Sequence, residues 1–193
     1  MKIFITLLLT FLLAACGGRE FVRPDNESFS LGSTTYDQII KSYGEPLRAA
    51  TVTRNGIPTK TITYSYAVAV PFTTKLSSRA MVFVFENDAL VSYDYISSFN
   101  DEKNAANYDD EKVKQITKGD KKSKVIGILG KPGGEAIYPV VSPKGNSIVR
   151  YSFMASYRVP FLPTPRITQK VVTISFDSND TVIDISSVES KPN

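Results

Sequence analysis

Reactive side chains are few in this chain, and their types exclude most enzyme chemistry. Among 193 residues there is one cysteine, Cys16, and there is no histidine. Without an imidazole, a serine or cysteine nucleophile lacks its usual activating base, and the commonest metal ligand is missing. The sequence also lacks glycine-rich phosphate loops and the short motifs of hydrolases and metalloproteases. We therefore expect no enzyme activity, no cofactor, no metal site and no small-molecule substrate.

A group of lysines is the second candidate for chemistry. Lys118, Lys121 and Lys122 surround the predicted start of a helix, where backbone N–H groups attract anions. Such a group can bind the phosphate of a lipid headgroup, and an ordinary solvated basic surface is the alternative. The net charge of the whole chain is only +4. This charge is too weak and too dispersed to predict binding of nucleic acid.

Cys16 follows a segment with the three parts of a signal peptide: a positive charge, an apolar run and two alanines. The apolar run is shorter than the roughly 20 residues that cross a bilayer. Leu13-Ala14-Ala15-Cys16 resembles the bacterial lipobox. This resemblance implies that residues 1–15 are removed and that Cys16 carries a lipid anchor. The alternative is an ordinary secretory peptide with a chance cysteine.

The residues after Cys16 bear on where the anchor lies. Gly17 is not acidic, and in lipoprotein sorting this favours the outer membrane, on its periplasmic face. Residues 16–28 are mostly polar and contain Pro24, so they are predicted to be a tether between the lipid and a folded domain.

The rest of the chain contains the same helix pattern twice. Thr35 and Gln38 predict a capping box at the start of the first helix, and Asp120 is the expected cap of the second. Gly44 and Gly130 each follow an apolar helix face and are followed by a proline two positions later. This arrangement predicts that both helices end at a glycine in the left-handed region.

Each predicted helix is followed by three segments with the alternation or turns of antiparallel strands. The segments are 59–70, 80–85 and 89–96, and then 147–159, 171–176 and 181–187. We therefore predict an α+β fold of two tandem repeats, each a short helical segment packed on a three-stranded antiparallel sheet. The repeats span 29–99 and 116–190, and the strongly charged residues 100–115 are predicted to connect them in solvent.

Both repeats contain the tripeptide Val-Pro-Phe in the loop between two strands. Apolar loops stiffened by proline lose little entropy on docking, so we predict that they bind a partner protein. In the alternative, Phe72 and Phe161 fold back and close the core. The predicted site consists of Val70, Pro71, Phe72, Val159, Pro160 and Phe161.

Tyrosines and phenylalanines in the predicted strands fall into two groups. Four of them alternate along the longest strands and are predicted to be core residues: Tyr64, Tyr66, Tyr151 and Phe153. Tyr93, Tyr95 and Tyr157 fit either the core or a binding surface, because tyrosine is enriched at interfaces.

Several of these motifs together resemble a known family. The lipobox, the segment from Gln115 to Leu129-Gly130-Lys131-Pro132 and the Phe-Asp-Ser-Asn-Asp turn at 176–180 resemble the BamE (SmpA/OmlA) lipoprotein domain, here in two copies. The tandem arrangement is also similar to beta-lactamase inhibitor protein. The first resemblance implies an accessory protein of the outer-membrane beta-barrel assembly machine. The second implies an inhibitor or sequestering module for a periplasmic or secreted enzyme, and a structural envelope lipoprotein is a further alternative.

Overall fold

A computed structural model describes residues 20–21, 29–70, 72, 76–99, 109–157 and 166–190. The predicted signal peptide and Cys16 lie outside these residues. The helices are α1 (Tyr36–Tyr43), α2 (Asp110–Lys114) and α3 (Lys122–Leu129). The strands are β1 (Arg48–Arg54), β2 (Ile57–Ala69), β3 (Leu76–Glu86), β4 (Ala89–Ser97), β5 (Gly134–Ile137), β6 (Ser147–Tyr157), β7 (Arg166–Phe176) and β8 (Val182–Ser190).

All eight strands form one antiparallel sheet in the order β1 to β8, so each strand pairs with its neighbours in sequence. The prediction of two repeats, each with its own three-stranded sheet, is therefore wrong. The sequence analysis did not predict two of these strands. β1 is an edge strand whose side chains are almost all exposed, and β5 has only four residues, so neither shows apolar alternation. β5 pairs with β4 and β6 and makes the sheet continuous.

The predicted helix ends are largely confirmed. Thr35 and Gln38 form the capping box of α1, which satisfies two N–H groups at the helix start. Gly44 and Gly130 have φ values of 74° and 78°. In this region a side chain is disfavoured, which accounts for glycine at both positions. The prediction for Asp120 is wrong, because its carboxylate accepts the Thr117 N–H at 2.9 Å and α3 begins without a side-chain cap.

A tyrosine ties each of these helix ends to the sheet. The Tyr64 hydroxyl of β2 donates to the Gly44 carbonyl at 2.7 Å, and the Tyr151 hydroxyl of β6 donates to the Gly130 carbonyl at 2.9 Å. Burial raises the pKa of Tyr64 to about 12, so the phenol keeps the proton that it donates. These bonds give a partner to the carbonyl of the glycine that follows each helix.

Phe83 lies at the centre of the core beneath α1 and is fully buried. Its ring centroid is 5.5 Å from that of Phe29, 5.8 Å from Tyr43 and 6.2 Å from Tyr64. Phe21, inside the segment predicted to be a tether, is also buried in this core. A second cluster beneath α3 contains Val125, Val149, Val172, Ile174 and Phe176.

Glu135 joins the two clusters on the helix-covered face of the sheet. It lies between Tyr93 of β4 and Val149 of β6 in the strand register. The Tyr93 hydroxyl donates to one carboxylate oxygen at 2.8 Å, and the Lys122 ammonium donates to the other at 3.1 Å. Burial, followed by the Glu135 charge, raises the pKa of Tyr93. This half-buried carboxylate therefore has partners from both halves of the chain.

The two ends of the sheet differ. At one end, which we call the turn end, the short connections 55–56, 87–88 and 177–181 join neighbouring strands, as does the loop 138–146. At the other end, which we call the hairpin end, Ala69 pairs with Leu76 and Tyr157 pairs with Arg166. The loops that contain the two Val-Pro-Phe tripeptides therefore belong to the hairpin end.

Candidate protein-binding face

The face of the sheet opposite α1 and α3, here called the helix-free face, is the broadest candidate for a binding surface. Neither of these two helices packs on it, because both contact the core clusters on the other face. The strand register places one residue from every strand in a row across this face. The row consists of Arg48, Thr63, Val82, Asp94, Gly134, Arg150, Thr173 and Ser186.

An ion pair crosses β5 in the middle of this row. Asp94 of β4 and Arg150 of β6 are separated by β5, and the Arg150 Nη1 lies 3.2 Å from the Asp94 Oδ2. The residue between them in the register is Gly134. A Cβ atom at this position would lie 2.6 Å from the Asp94 Oδ1, so only glycine lets the two side chains meet over the strand.

The Asp94 carboxylate is held in an unfavourable environment. Its Oδ1 is buried and accepts no hydrogen bond among the described residues. Burial raises the pKa of Asp94, and the interaction with Arg150 offsets only part of this effect. The folded state therefore keeps the Asp94 proton to a higher pH than the unfolded chain does.

This raised pKa predicts a specific pH dependence of stability. As the pH rises through the Asp94 pKa, the folded protein should lose stability relative to the Asp94→Asn variant, because only the wild-type side chain becomes charged. Urea unfolding of both proteins between pH 3 and pH 7 measures this difference. A difference that stays constant, or that moves in favour of the wild type as the pH rises, would show that burial does not dominate.

The loop 138–146 forms the rim of the helix-free face at the turn end. The Asn55 side-chain amide donates to the Pro139 carbonyl at 2.8 Å. Gly145, near the other end of the loop, lies close to Ser178 in the β7–β8 turn. The loop thus contacts the first and the last of the short turns. Val84, Ser92 and Ala136, which lie on this face near the turn end, are buried.

The three lysines of the predicted headgroup site have separate partners within the protein. The Lys118 ammonium lies 3.4 Å from the Asp184 carboxylate. Lys121 donates to the Asn179 carbonyl and the Thr181 hydroxyl, and Lys122 donates to Glu135. Each ammonium group is therefore already paired within the protein, and headgroup binding stays a prediction.

The predicted Val-Pro-Phe site is described only in part. Val70 is half-buried, and Phe72 is fully exposed with a φ of 58°. Pro71, Val159, Pro160 and Phe161 lie outside the described residues. Phe72 does not fold back onto the core, and its binding role stays a prediction.

The structure shows how far most of the aromatic residues named in the sequence analysis are buried. Tyr64 is buried as predicted, and the side chains of Tyr66, Tyr151 and Phe153 are half-buried. Tyr93 and Tyr95, which the sequence left open, are buried in the core. The side chain of Tyr157 lies outside the described part of the structure.

The sequence did not indicate Asp94, Gly134 or Arg150 as residues of a site. They belong to three strands, and the shortest of these strands has no recognisable pattern. The one available signal is a glycine inside a strand, which indicates close approach by another group. In the described ranges, no cluster of three or more acidic or cysteine side chains is suited to hold a metal ion. None of the helices in those ranges has the length and apolar character needed to cross a membrane.

Comparisons with known proteins give similarities among solved structures. No family model matches the chain, and no curated protein matches it. Among solved structures, the chain is similar to a "putative beta-lactamase inhibitor protein" from Streptococcus mutans. The identity is 15%, the TM-score is 0.45, and the match covers 93% of this chain and 96% of the other. This match agrees with the predicted similarity of arrangement to such an inhibitor. It gives no support to the BamE resemblance. At this TM-score the match carries no argument about function.

Proposed function

We propose that this chain is a lipid-anchored binding protein of the bacterial outer membrane, without enzyme activity, whose helix-free face holds a protein partner. The observation that carries the proposal is the continuous row of residues across all eight strands, on a face that α1 and α3 leave uncovered. The lipobox at Cys16 supports the anchor.

The size of the helix-free face fits a protein partner. Seven spacings of about 4.8 Å make a sheet of eight strands about 34 Å wide, and seven residues of strand are about 23 Å long. The product is about 780 Å². β5 contributes only four residues and the part of the face near the turn end is buried, so the accessible area is below the roughly 800 Å² that each partner contributes to a standard interface and fits a transient complex. Few small molecules would use a face this broad, since their sites are concave and mostly apolar.

The composition of the face also fits a protein partner. The hydroxyl side chains of Thr63 and Thr173 lie on either side of Val82 and the paired charges of Asp94 and Arg150. Non-obligate interfaces have this mixture of apolar and polar groups, and arginine is enriched in them. The Asp94–Arg150 pair is already formed, so a partner meets a charge arrangement that needs little reordering.

Two classes of partner follow from the sequence resemblances. A periplasmic or secreted enzyme would make the chain an inhibitor or sequestering module, and one uninterrupted sheet favours this class because it presents a single large surface. The beta-barrel assembly machine is the second class, and the Leu129-Gly130-Lys131-Pro132 resemblance favours it.

A pair of variants tests the helix-free face as the binding surface. Thr173→Tyr places a bulky side chain on this face, next to Arg150 in the strand register, whereas Ser123→Tyr places the same side chain on the exposed surface of α3. We expect the first variant to reduce recovery of the partner at least about tenfold, which corresponds to about 1.4 kcal/mol. The second should recover it as the wild type does. Recovery is measured by affinity purification of the lipidated protein from detergent-solubilised envelopes, with mass spectrometry.

The identity of the recovered protein decides between the classes. A hydrolase that loses activity when the purified chain is added supports the inhibitor. Assembly-machine subunits in near-equal amounts support the accessory role. Loss of partner with both variants, or with neither, contradicts the helix-free face as the site.

A further inference from the structure

The first strand of the sheet has an open edge. The outer edge of β1 pairs with no strand in the described part of the chain, and almost all of its side chains are exposed. Proteins usually protect such an edge with lysine, proline or a bulge. β1 contains no lysine and no proline, and its seven residues pair with β2 without a bulge. The other edge strand, β8, has an irregular register with β7 and contains Asp184 and Glu189. The edge of β1 is therefore the one better suited to accept a further strand.

Two arginines at the ends of β1 give this edge a positive charge. Arg48 and Arg54 are six residues apart in one strand, so both lie on the helix-free face. Arg48 forms no ion pair with any of the described residues. Arg54 donates to the hydroxyls of Thr59 and Thr61 rather than to a carboxylate. Acidic residues placed opposite these arginines in an added strand would be attracted to them.

A cavity of about 260 Å³ lies beside the centre of the same strand, on the helix-covered face. Thr51 of β1, Lys60 of β2 and Phe85 of β3 are neighbours in the strand register and line it. Tyr36, at the start of α1, lines it as well, and its ring centroid is 5.6 Å from that of Phe85. The cavity is smaller than the roughly 300–1,000 Å³ of ligand sites. It therefore fits one side chain rather than a whole ligand.

The lining of this cavity favours an aromatic side chain over an acidic one. Tyr36 and Phe85 can pack against a further ring. The Lys60 ammonium lies 3.3 Å from the Tyr36 ring centroid, and such a group is attracted to ring faces. Asp88 also lines the cavity, where its carboxylate accepts the Tyr36 N–H at 3.2 Å. Because Asp88 would repel a second carboxylate, the cavity is better matched to a ring.

We propose that the outer edge of β1 binds an extended segment of the protein partner as an added strand. An aromatic residue of this segment lies opposite Thr51, and acidic residues lie opposite Arg48 and Arg54. Thr51 is three residues from each arginine, so the aromatic side chain points to the cavity and the acidic ones to the helix-free face. Strand addition gives affinity through main-chain hydrogen bonds and specificity through pockets for alternate side chains. The inference rests on the proposed function only in that the partner is a protein.

A short peptide tests the edge without the partner itself. The acetylated and amidated peptide Glu-Thr-Val-Tyr-Val-Thr-Glu has the required spacing and reads the same in both directions. Its binding to the purified full-length protein is measured by fluorescence anisotropy of a labelled copy. We expect the double variant Arg48→Glu with Arg54→Glu to weaken binding at least about tenfold, because two attractions become repulsions. The control, Lys112→Glu with Lys114→Glu on α2, changes the net charge equally and should alter binding less than about twofold.

N-methylation of the peptide separates strand addition from general charge attraction. In an added strand, alternate peptide N–H groups point toward β1 and the others point away. Methylation of one alternating set should therefore abolish binding, and methylation of the other set should preserve it. Equal binding of both methylated peptides, or of a peptide with lysine in place of glutamate, would overturn the inference. Absence of binding at millimolar peptide would overturn it as well.

Two further measurements separate this inference from its alternatives. Sedimentation of the protein alone detects a second copy on the edge, and a dimer that the peptide does not dissociate would overturn the proposed occupant. Thr173→Tyr, with five strands between its site and β1, should bind the peptide as the wild type does. If the peptide binds but Thr173→Tyr recovers the partner normally, the edge is supported and the helix-free face is contradicted. If the peptide does not bind but Thr173→Tyr loses the partner, the edge alone is contradicted.

Discussion

Phe83→Ala should lower the free energy of unfolding by about 3–5 kcal/mol, the range for removal of a buried phenylalanine ring. Phe83 has no exposed surface, and its ring contacts Phe29, Tyr43 and Tyr64. These residues come from the N-terminal segment, α1 and β2. The cavity would therefore remove contacts from three elements at once, and rigid aromatic neighbours cannot easily collapse into it.

The matched control is Phe72→Ala, because Phe72 is the same residue type with a fully exposed side chain. Its removal should change the stability of the soluble protein by less than about 0.5 kcal/mol. Urea unfolding followed by far-UV circular dichroism measures both variants. A loss below about 1 kcal/mol for Phe83→Ala would show that the aromatic cluster does not hold α1 to the sheet.

Gly134→Val should destabilise the protein by about 3 kcal/mol, at the upper end of the range for overpacking. The new Cβ atom would lie 2.6 Å from the Asp94 Oδ1 and 2.9 Å from the Tyr93 carbonyl oxygen. The side chain can move away, but the carbonyl belongs to the backbone of β4. Separation of β4 from β5 would weaken the junction between the two halves of the sheet and the Asp94–Arg150 pair above it.

Gly127→Ala is the control for this glycine. Gly127 lies inside α3, its φ is not in the left-handed region, and a Cβ atom there would meet no other atom within 4 Å. Alanine at this position should stabilise the protein by up to about 1 kcal/mol, because glycine is the poorer helix former. Thermal unfolding of both variants compares them, and equal shifts in the same direction would contradict the argument from Gly134.

The sequence predicted the parts of the fold that local chemistry determines. Thr35 with Gln38 marked the start of α1, and Gly44 and Gly130 marked two helix ends, because capping groups act within a few residues. The long strands were found because their side chains alternate. β1 and β5 were not predicted because their side chains do not alternate. Without these two strands, the sequence could show neither the number of strands in the sheet nor its continuity.

The candidate site was harder to predict because it depends on pairing between distant residues. Asp94 and Arg150 are 56 residues apart in sequence, and they meet only because β5 lies between their strands. The sequence also did not show which face is covered. Tyr93 and Tyr95 fitted either face, and the structure assigns them to the core because α1 and the N-terminal segment pack on that side.

The order of the strands has a consequence for how the protein acquires its structure. Since every strand pairs with the strand before it in sequence, no strand must wait for a distant segment. Contacts between neighbours in sequence lower the contact order, and folding is faster when contact order is low. If the chain is exported with its N-terminus first, as the proposed lipid anchor requires, it can therefore add strands one at a time as it leaves the translocation channel. The outer edge of β1 stays unpaired, but the other edge of the growing sheet is the one on which the next strand forms, which shortens the time that this second edge is open to aggregation.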